Sequence, residues 1–129
     1  MTALAIAMLA ELLMGGAVVA AECRGCHEHE QVAVACTVRE RARRTGLTPV
    51  AVMTASGQYA RPVGPPRMRL RHIVAYARGR GGECPTWAEG ATHFVTRRRW
   101  PAVEARWLTQ LEVVESGRTS HVFLWPREG

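Results

Sequence analysis

Chemically capable side chains crowd into one stretch, residues 18–44, which reads VVAAECRGCHEHEQVAVACTVRERARR and holds three of the four cysteines. Its first carboxylate is Glu22. No charged side chain occurs at residues 12–21, so Glu22 closes an apolar run. Poor solvation at such a position disfavours the ionised form and raises the pKa, as a general acid near neutral pH requires. The same spacing suits a surface Glu at a helix end, because perturbed carboxylates are also found in purely structural roles.

The segment offers two other chemistries. Cys23-Arg24-Gly25-Cys26-His27 matches the C-x-x-C-H pattern of covalent c-type haem attachment, with Met53 or Met68 as second axial ligand. An electron-transfer protein of that kind leaves the C-terminal part, His93 and His121 included, without a role. Zinc is the other, through Cys23, Cys26, His27 and His29. Structural zinc sites usually draw on two well-separated knuckles, and four ligands within seven residues fit that poorly. The even cysteine count permits disulfides in an oxidising compartment. A Cys23–Cys26 bridge would span one helical turn and constrain little. Cys84, in a Gly-rich loop, is left to pair with Cys26 or Cys36, and four reduced thiols suit the sequence equally.

These residues need elements to hold them. Residues 1–20 read as a helix rather than a signal peptide: no Arg precedes the apolar run, Glu11 interrupts it, and cleavage after Ala20 would strip away the support of Glu22. The run is also too short and interrupted for a stable membrane span. Residues 28–44 show helical spacing of Val32, Ala35, Cys36 and Val38, with basic residues toward the C-terminus and Gly46 as the stop. Pro49 starts a short helix over residues 49–55, and residues 67–78 form another. The character then changes. Residues 91–96, 111–115 and 120–125 are rich in Val, Phe, Thr and Trp and read as strands, with Ser116-Gly117-Arg118 turning the last two into a hairpin. Residues 100–107 connect them, as a linker or short helix. The expected architecture is α+β: a helical part carrying Glu22 and a small antiparallel sheet, with a cleft between them.

Length and composition agree. The 129 residues make about one domain with one modest core. A hydrophobic content of 47% excludes a disordered chain. The net charge is +6, carried entirely by Arg, with no Lys, Asp or Asn. Such a surface suits nucleic acid, an anionic membrane or an anionic cell wall, but no nucleic-acid recognition motif accompanies the charge, so nucleic acid is not an expected partner. The clusters Arg41-Arg43-Arg44 and Arg97-Arg98-Arg99 read as solvated faces.

Ala21-Glu22-Cys23-Arg24-Gly25-Cys26, then Gln31-Val32-Ala33-Val34-Ala35-Cys36 and Glu40-Arg41, resemble the opening motif of the SleB-like cell-wall hydrolases, spore-cortex-lytic and phage-borne enzymes that cut peptidoglycan glycan strands. Pro49-Val50, Gly57-Gln58-Tyr59, Gly90-Ala91-Thr92-His93-Phe94 and His121-Val122-Phe123 continue the resemblance in order, over residues 12–125. Cys26 stands where Glu is usual, Glu30 where Gly is usual, and Glu40 where Asn is usual, while Thr119-Ser120 replaces Gly-Asn. The resemblance implies a lysozyme-like or lytic-transglycosylase-like single domain over residues 1–129, acting on the cell wall from the periplasm, the medium or a phage particle. It implies Glu22 as the catalytic acid/base and Gln58, Tyr59, Thr92, His93 and Phe94 as sugar-binding residues, with Thr92 nearest the developing oxocarbenium. His121 and Phe123 would support the cleft from the sheet. No cofactor or metal is implied. The partners implied are the glycan strand and, for a phage enzyme, virion or lysis proteins. Most glycosidases use two carboxylates, and none of the eleven Glu is marked as a partner for Glu22. The resemblance answers this with a single-Glu lytic transglycosylase, in which the muramoyl C6 hydroxyl replaces water.

Overall fold

The computed structural model describes residues 2–55, 57–114 and 119–128. Helix α1 (Ala3–Cys23) is capped by Thr2, whose Oγ1 accepts from Ala5 N at 3.1 Å. Helix α2 (Glu28–Thr45) places Glu28 and Glu30 in its first turn and Arg43 and Arg44 in its last, both favourable to the helix dipole. Gly46 ends it, donating to Ala42 O at 2.9 Å. Helix α3 (Pro49–Thr54) is capped by Thr48, which accepts from Ala51 N at 3.1 Å. Helix α4 (Leu70–Arg80) follows a loop, and a short 3-10 turn at Thr86–Ala88 leads to the sheet. Strand β1 (His93–Thr96), helix α5 (Trp100–Trp107) and strands β2 (Leu111–Val114) and β3 (His121–Pro126) complete the described chain.

The sheet has the order β1-β3-β2, and both pairings are antiparallel. His93 faces Leu124 and Thr96 faces His121 in the β1–β3 register. The fold is therefore α+β, as the sequence pattern indicates. Helix α2 is its axis: every residue at positions 30–38 is buried. Val18, Val19, Val34, Val38, Tyr76 and Phe123 meet in the main core, where each fully buried side chain contributes about 1.5–3 kcal/mol. Helix α4 crosses both α1 and α2 closely enough that glycine is needed at the seams. A Cβ on Gly15 would come within 2.3 Å of the Tyr76 ring, and one on Gly79 within 2.5 Å of Val32 O. That last contact requires glycine at position 79, which lies inside α4, just beyond the span of 67–78 read from the sequence. Helix α4 also starts later than the sequence pattern suggests, because His72 Nδ1 accepts from Arg69 N at 2.9 Å and fixes the first turn there. The Ser116-Gly117-Arg118 turn lies outside the described residues.

Helix α1 divides into two halves. Its C-terminal half is packed, while Leu4, Ile6, Met8 and Leu9 are exposed. By length and composition it could cross a membrane. Glu11, at the junction, accepts from Tyr76 Oη at 2.8 Å and from Arg80 Nε at 3.0 Å, which commits the second half to the protein core.

The cysteines form two disulfides, Cys23–Cys26 and Cys36–Cys84. The first links residues three apart, so the chain-entropy model assigns it under about 2 kcal/mol. The second closes a separation of 48 residues and ties α2 to the loop after α4, for which the same model gives about 4 kcal/mol. Two disulfides mark a chain that matures outside the reducing cytoplasm.

Candidate active site

A cleft of about 920 Å³ runs between the helical part and the sheet. Glu22 reaches it from the last turn of α1, Gln58 and Tyr59 from the loop after α3, and His93 and Phe94 from β1. Five residues selected by sequence thus meet on one surface. Among the described residues lining the cleft, Glu22 is the single carboxylate.

Glu22 is half-buried, and its Oε1 accepts from Ala60 N. Burial pushes its carboxyl above the ordinary value of 4.5; the Ala60 bond and the proximity of His121 offset part of that rise. The expected consequence of an apolar helix end is therefore present, and a proton is retained to higher pH than on a surface Glu.

Tyr59 donates to Thr37 Oγ1 at 2.9 Å, while that hydroxyl donates to Val34 O at 2.7 Å. Its ring lies 5.8 Å from Phe94. Burial raises the Tyr59 pKa, so its hydroxyl stays protonated. His93 packs edge-on against Trp107 at 5.6 Å, and its pKa falls to about 4, first through burial and then through the charge of Arg41. It is a neutral imidazole at pH 7. Thr92 stands apart from its expected role. It is buried, its Oγ1 is 2.8 Å from His93 Nδ1, and it is not among the lining residues. Its side chain holds the His93 ring from behind instead of lining the cleft.

Arg41 was read as part of a solvated cluster, and the structure corrects this. Its guanidinium bonds Gln58 Oε1 and Thr92 O and sits over the Tyr59 ring at 5.4 Å to the centroid. One side chain thereby joins the loop after α3 to the sheet. Helical spacing held the signal: Arg41 follows Val34, Thr37 and Val38, all buried, by seven, four and three residues. Arg99 and Arg106 also line the cleft, which makes its walls basic and aromatic.

A second carboxylate lies beneath this surface. Glu30 is buried in the first turn of α2. It accepts from Ser120 N at 2.9 Å, from Ser120 Oγ at 2.5 Å and from His121 Nδ1 at 2.6 Å. Burial alone would raise its pKa, but the bonds from His121 and Ser120 outweigh that and hold it below 4.5. His121 and Phe123 do sit behind the cleft, with the His121 ring 5.6 Å from Phe94. The role of Glu30 was invisible in sequence, since its partners come 90 and 91 residues later.

The alternative chemistries find other geometry. Cys23 and Cys26 are bonded to each other, which leaves neither sulfur for a haem thioether. Met53 is buried in the core. His27 and His29 are exposed and stacked on one another at 5.6 Å, so neither joins the two sulfurs.

No family model matches the chain, and no curated protein and no solved structure is significantly similar to it.

Proposed function

We propose that this protein cleaves peptidoglycan glycan strands between N-acetylmuramic acid and N-acetylglucosamine, as a lysozyme-like lytic transglycosylase with Glu22 as the one acid/base. The observation that carries this reading is a cleft of polymer-binding size whose single lining carboxylate, at the end of an apolar helix, has its pKa raised by burial.

The chemistry follows from the two oxygens of Glu22. Oε1 is engaged by Ala60 N–H, which leaves Oε2 to carry the proton. Oε2–H protonates the glycosidic oxygen as the C1–O bond breaks. The resulting carboxylate accepts the proton of the muramoyl C6 hydroxyl as that oxygen attacks C1 and closes a 1,6-anhydro ring. Glu22 ends protonated again, and no water or second base is consumed. A two-carboxylate mechanism would call for a partner on the cleft surface about 5–9.5 Å away. Glu30 is engaged in three hydrogen bonds beneath it.

Tyr59 and Phe94 offer faces for sugar rings. Arg41 holds Gln58 Oε1, which turns the Gln58 amide N–H groups toward an N-acetyl carbonyl. Neutral His93 serves as a hydrogen-bond partner without adding charge, and Arg99 and Arg106 suit the stem-peptide carboxylates of the polymer. The site of action is the cell wall. Mass spectrometry of products from purified walls tests the reaction type: 1,6-anhydromuramoyl ends are expected, and reducing muramic acid ends in their place would refute the internal nucleophile.

A further inference from the structure

Cys23 Sγ, Cys26 Sγ, Glu30 and His121 bring one ligand atom each into a cluster whose members all lie within 4.8 Å of one another. Cys23, Glu30 and His121 are buried, and Cys26 is half-buried at the rim. Both sulfurs approach the same oxygen: Glu30 Oε2 is 3.4 Å from Cys23 Sγ and 3.3 Å from Cys26 Sγ. His121 Nδ1 is 3.9 Å from Cys23 Sγ. Sulfurs joined in a disulfide have no proton to donate, and in this state Glu30 Oε2 is held by His121 Nδ1–H and Ser120 Oγ–H. The same four atoms are close enough together to take one cation once the sulfurs are thiolates.

We propose that reduction of the Cys23–Cys26 disulfide converts this cluster into a Zn(II) site with ligands Cys23 Sγ, Cys26 Sγ, Glu30 Oε2 and His121 Nδ1. The step balances. A dithiol reductant transfers two electrons and two protons to the disulfide and becomes a disulfide itself. Zn(II) then displaces the two thiol protons, and the His121 proton passes from Nδ1 to Nε2, which has no partner among the described residues. Two thiolates, one imidazole and one carboxylate select Zn(II) over the hard cations Ca(II) and Mg(II). A tetrahedral zinc site has ligand–ligand edges of roughly 3.3–3.8 Å, so the donors need only small shifts once the S–S bond opens. The Cα atoms of the two cysteines are 5.2 Å apart, and the intervening Arg24-Gly25 gives the two-residue spacing of a zinc knuckle.

The two states differ in what they hold together. The disulfide links residues three apart at one helix end. The metal would fasten the end of α1, the start of α2 and the first residue of β3 to one another. That junction lies directly behind Glu22, so redox state and zinc supply would set the rigidity of the cleft wall.

Co(II) is the probe, titrated into the full chain with and without a phosphine reductant. The reduced protein should bind one equivalent, with tetrahedral d–d bands and a thiolate-to-metal charge-transfer band that Zn(II) bleaches. The oxidised protein should show neither. Cys23→Ser and His121→Gln should each weaken binding by roughly a hundredfold or more, beyond the cost of losing an outer-shell partner. Cys84→Ser and the double change His27→Gln/His29→Gln should leave the spectrum intact. A reduced chain that loses its fold without metal should regain it with Zn(II). The proposal is overturned by a reduced wild type without the charge-transfer band, by equal binding to the oxidised protein, or by binding that survives His121→Gln but is lost with His27 and His29. None of these readouts involves wall lysis, so they stand or fall apart from the role of Glu22.

Discussion

Glu22 and Glu30 lie eight residues apart on either side of the turn between α1 and α2, and both are withdrawn from water. Their pKa values nevertheless move in opposite directions. Burial pushes both upward. Glu30 receives three hydrogen bonds that favour its charge, and these prevail. Glu22 receives one backbone bond, and burial prevails. The difference teaches how a small fold assigns roles to like groups. A carboxylate whose lone pairs are taken becomes a strut between elements, and one with an oxygen left over holds its proton to higher pH than a surface Glu.

Breaking the strut should have the largest effect on stability. Glu30→Ala leaves His121 Nδ1 without its carboxylate in the interior, where His121 Nε2 already has no partner among the described residues. A loss of about 3–5 kcal/mol is expected in denaturant unfolding of the oxidised protein. A loss under about 1 kcal/mol would mean that Glu30 is not the strut.

The contrast sharpens at low pH through His93, a cleft residue whose pKa is strongly lowered. Its folded pKa is about 4 against an ordinary 6.5. The unfolded chain therefore binds the proton first, and stability falls as pH drops from 6.5 toward 4. The depressed value of Glu30 acts later, with stability lost only as pH falls below about 4.5. His93→Gln should flatten thermal midpoints across pH 4–6.5 and leave the steeper fall below that window. An unchanged slope would show that His93 is not held neutral.

A smaller effect belongs to Tyr59→Phe. It removes the bond to Thr37 but keeps the ring against Phe94. About 0.5–1.5 kcal/mol of stability should be lost, readable in the same denaturant series, and a neutral change would place the hydroxyl outside the supporting network.

What the sequence disclosed follows the range of its signals. Local patterns located the helices and strands, because the spacing of Val32, Ala35, Cys36 and Val38 or the Val and Phe content of β3 is set within one element. They also located Glu22, since an uncharged run ending in a carboxylate is a local feature. Long-range pairing was not legible. Cys36–Cys84 was one of two partners allowed to Cys84, and the sequence could not choose between them. Thr92 and His93 were both expected to contact sugar, and only the packed fold separates them, with His93 on the cleft surface and Thr92 buried behind it. Arg41 was masked by the basic residues around it, although its spacing from Thr37 and Val38 pointed inward.

The proton on Glu22 is the centre of the account, and Glu22→Gln isolates it. The variant keeps the shape and an oxygen for Ala60 N–H, so its stability should stay within about 0.5 kcal/mol of wild type. Clearance of purified peptidoglycan should fall by about a hundred- to ten-thousand-fold, the usual worth of a positioned acid/base. Exposed Glu28→Gln, measured alongside, should clear walls at the wild-type rate. A folded Glu22→Gln protein that lysed walls as fast as wild type would contradict the assignment.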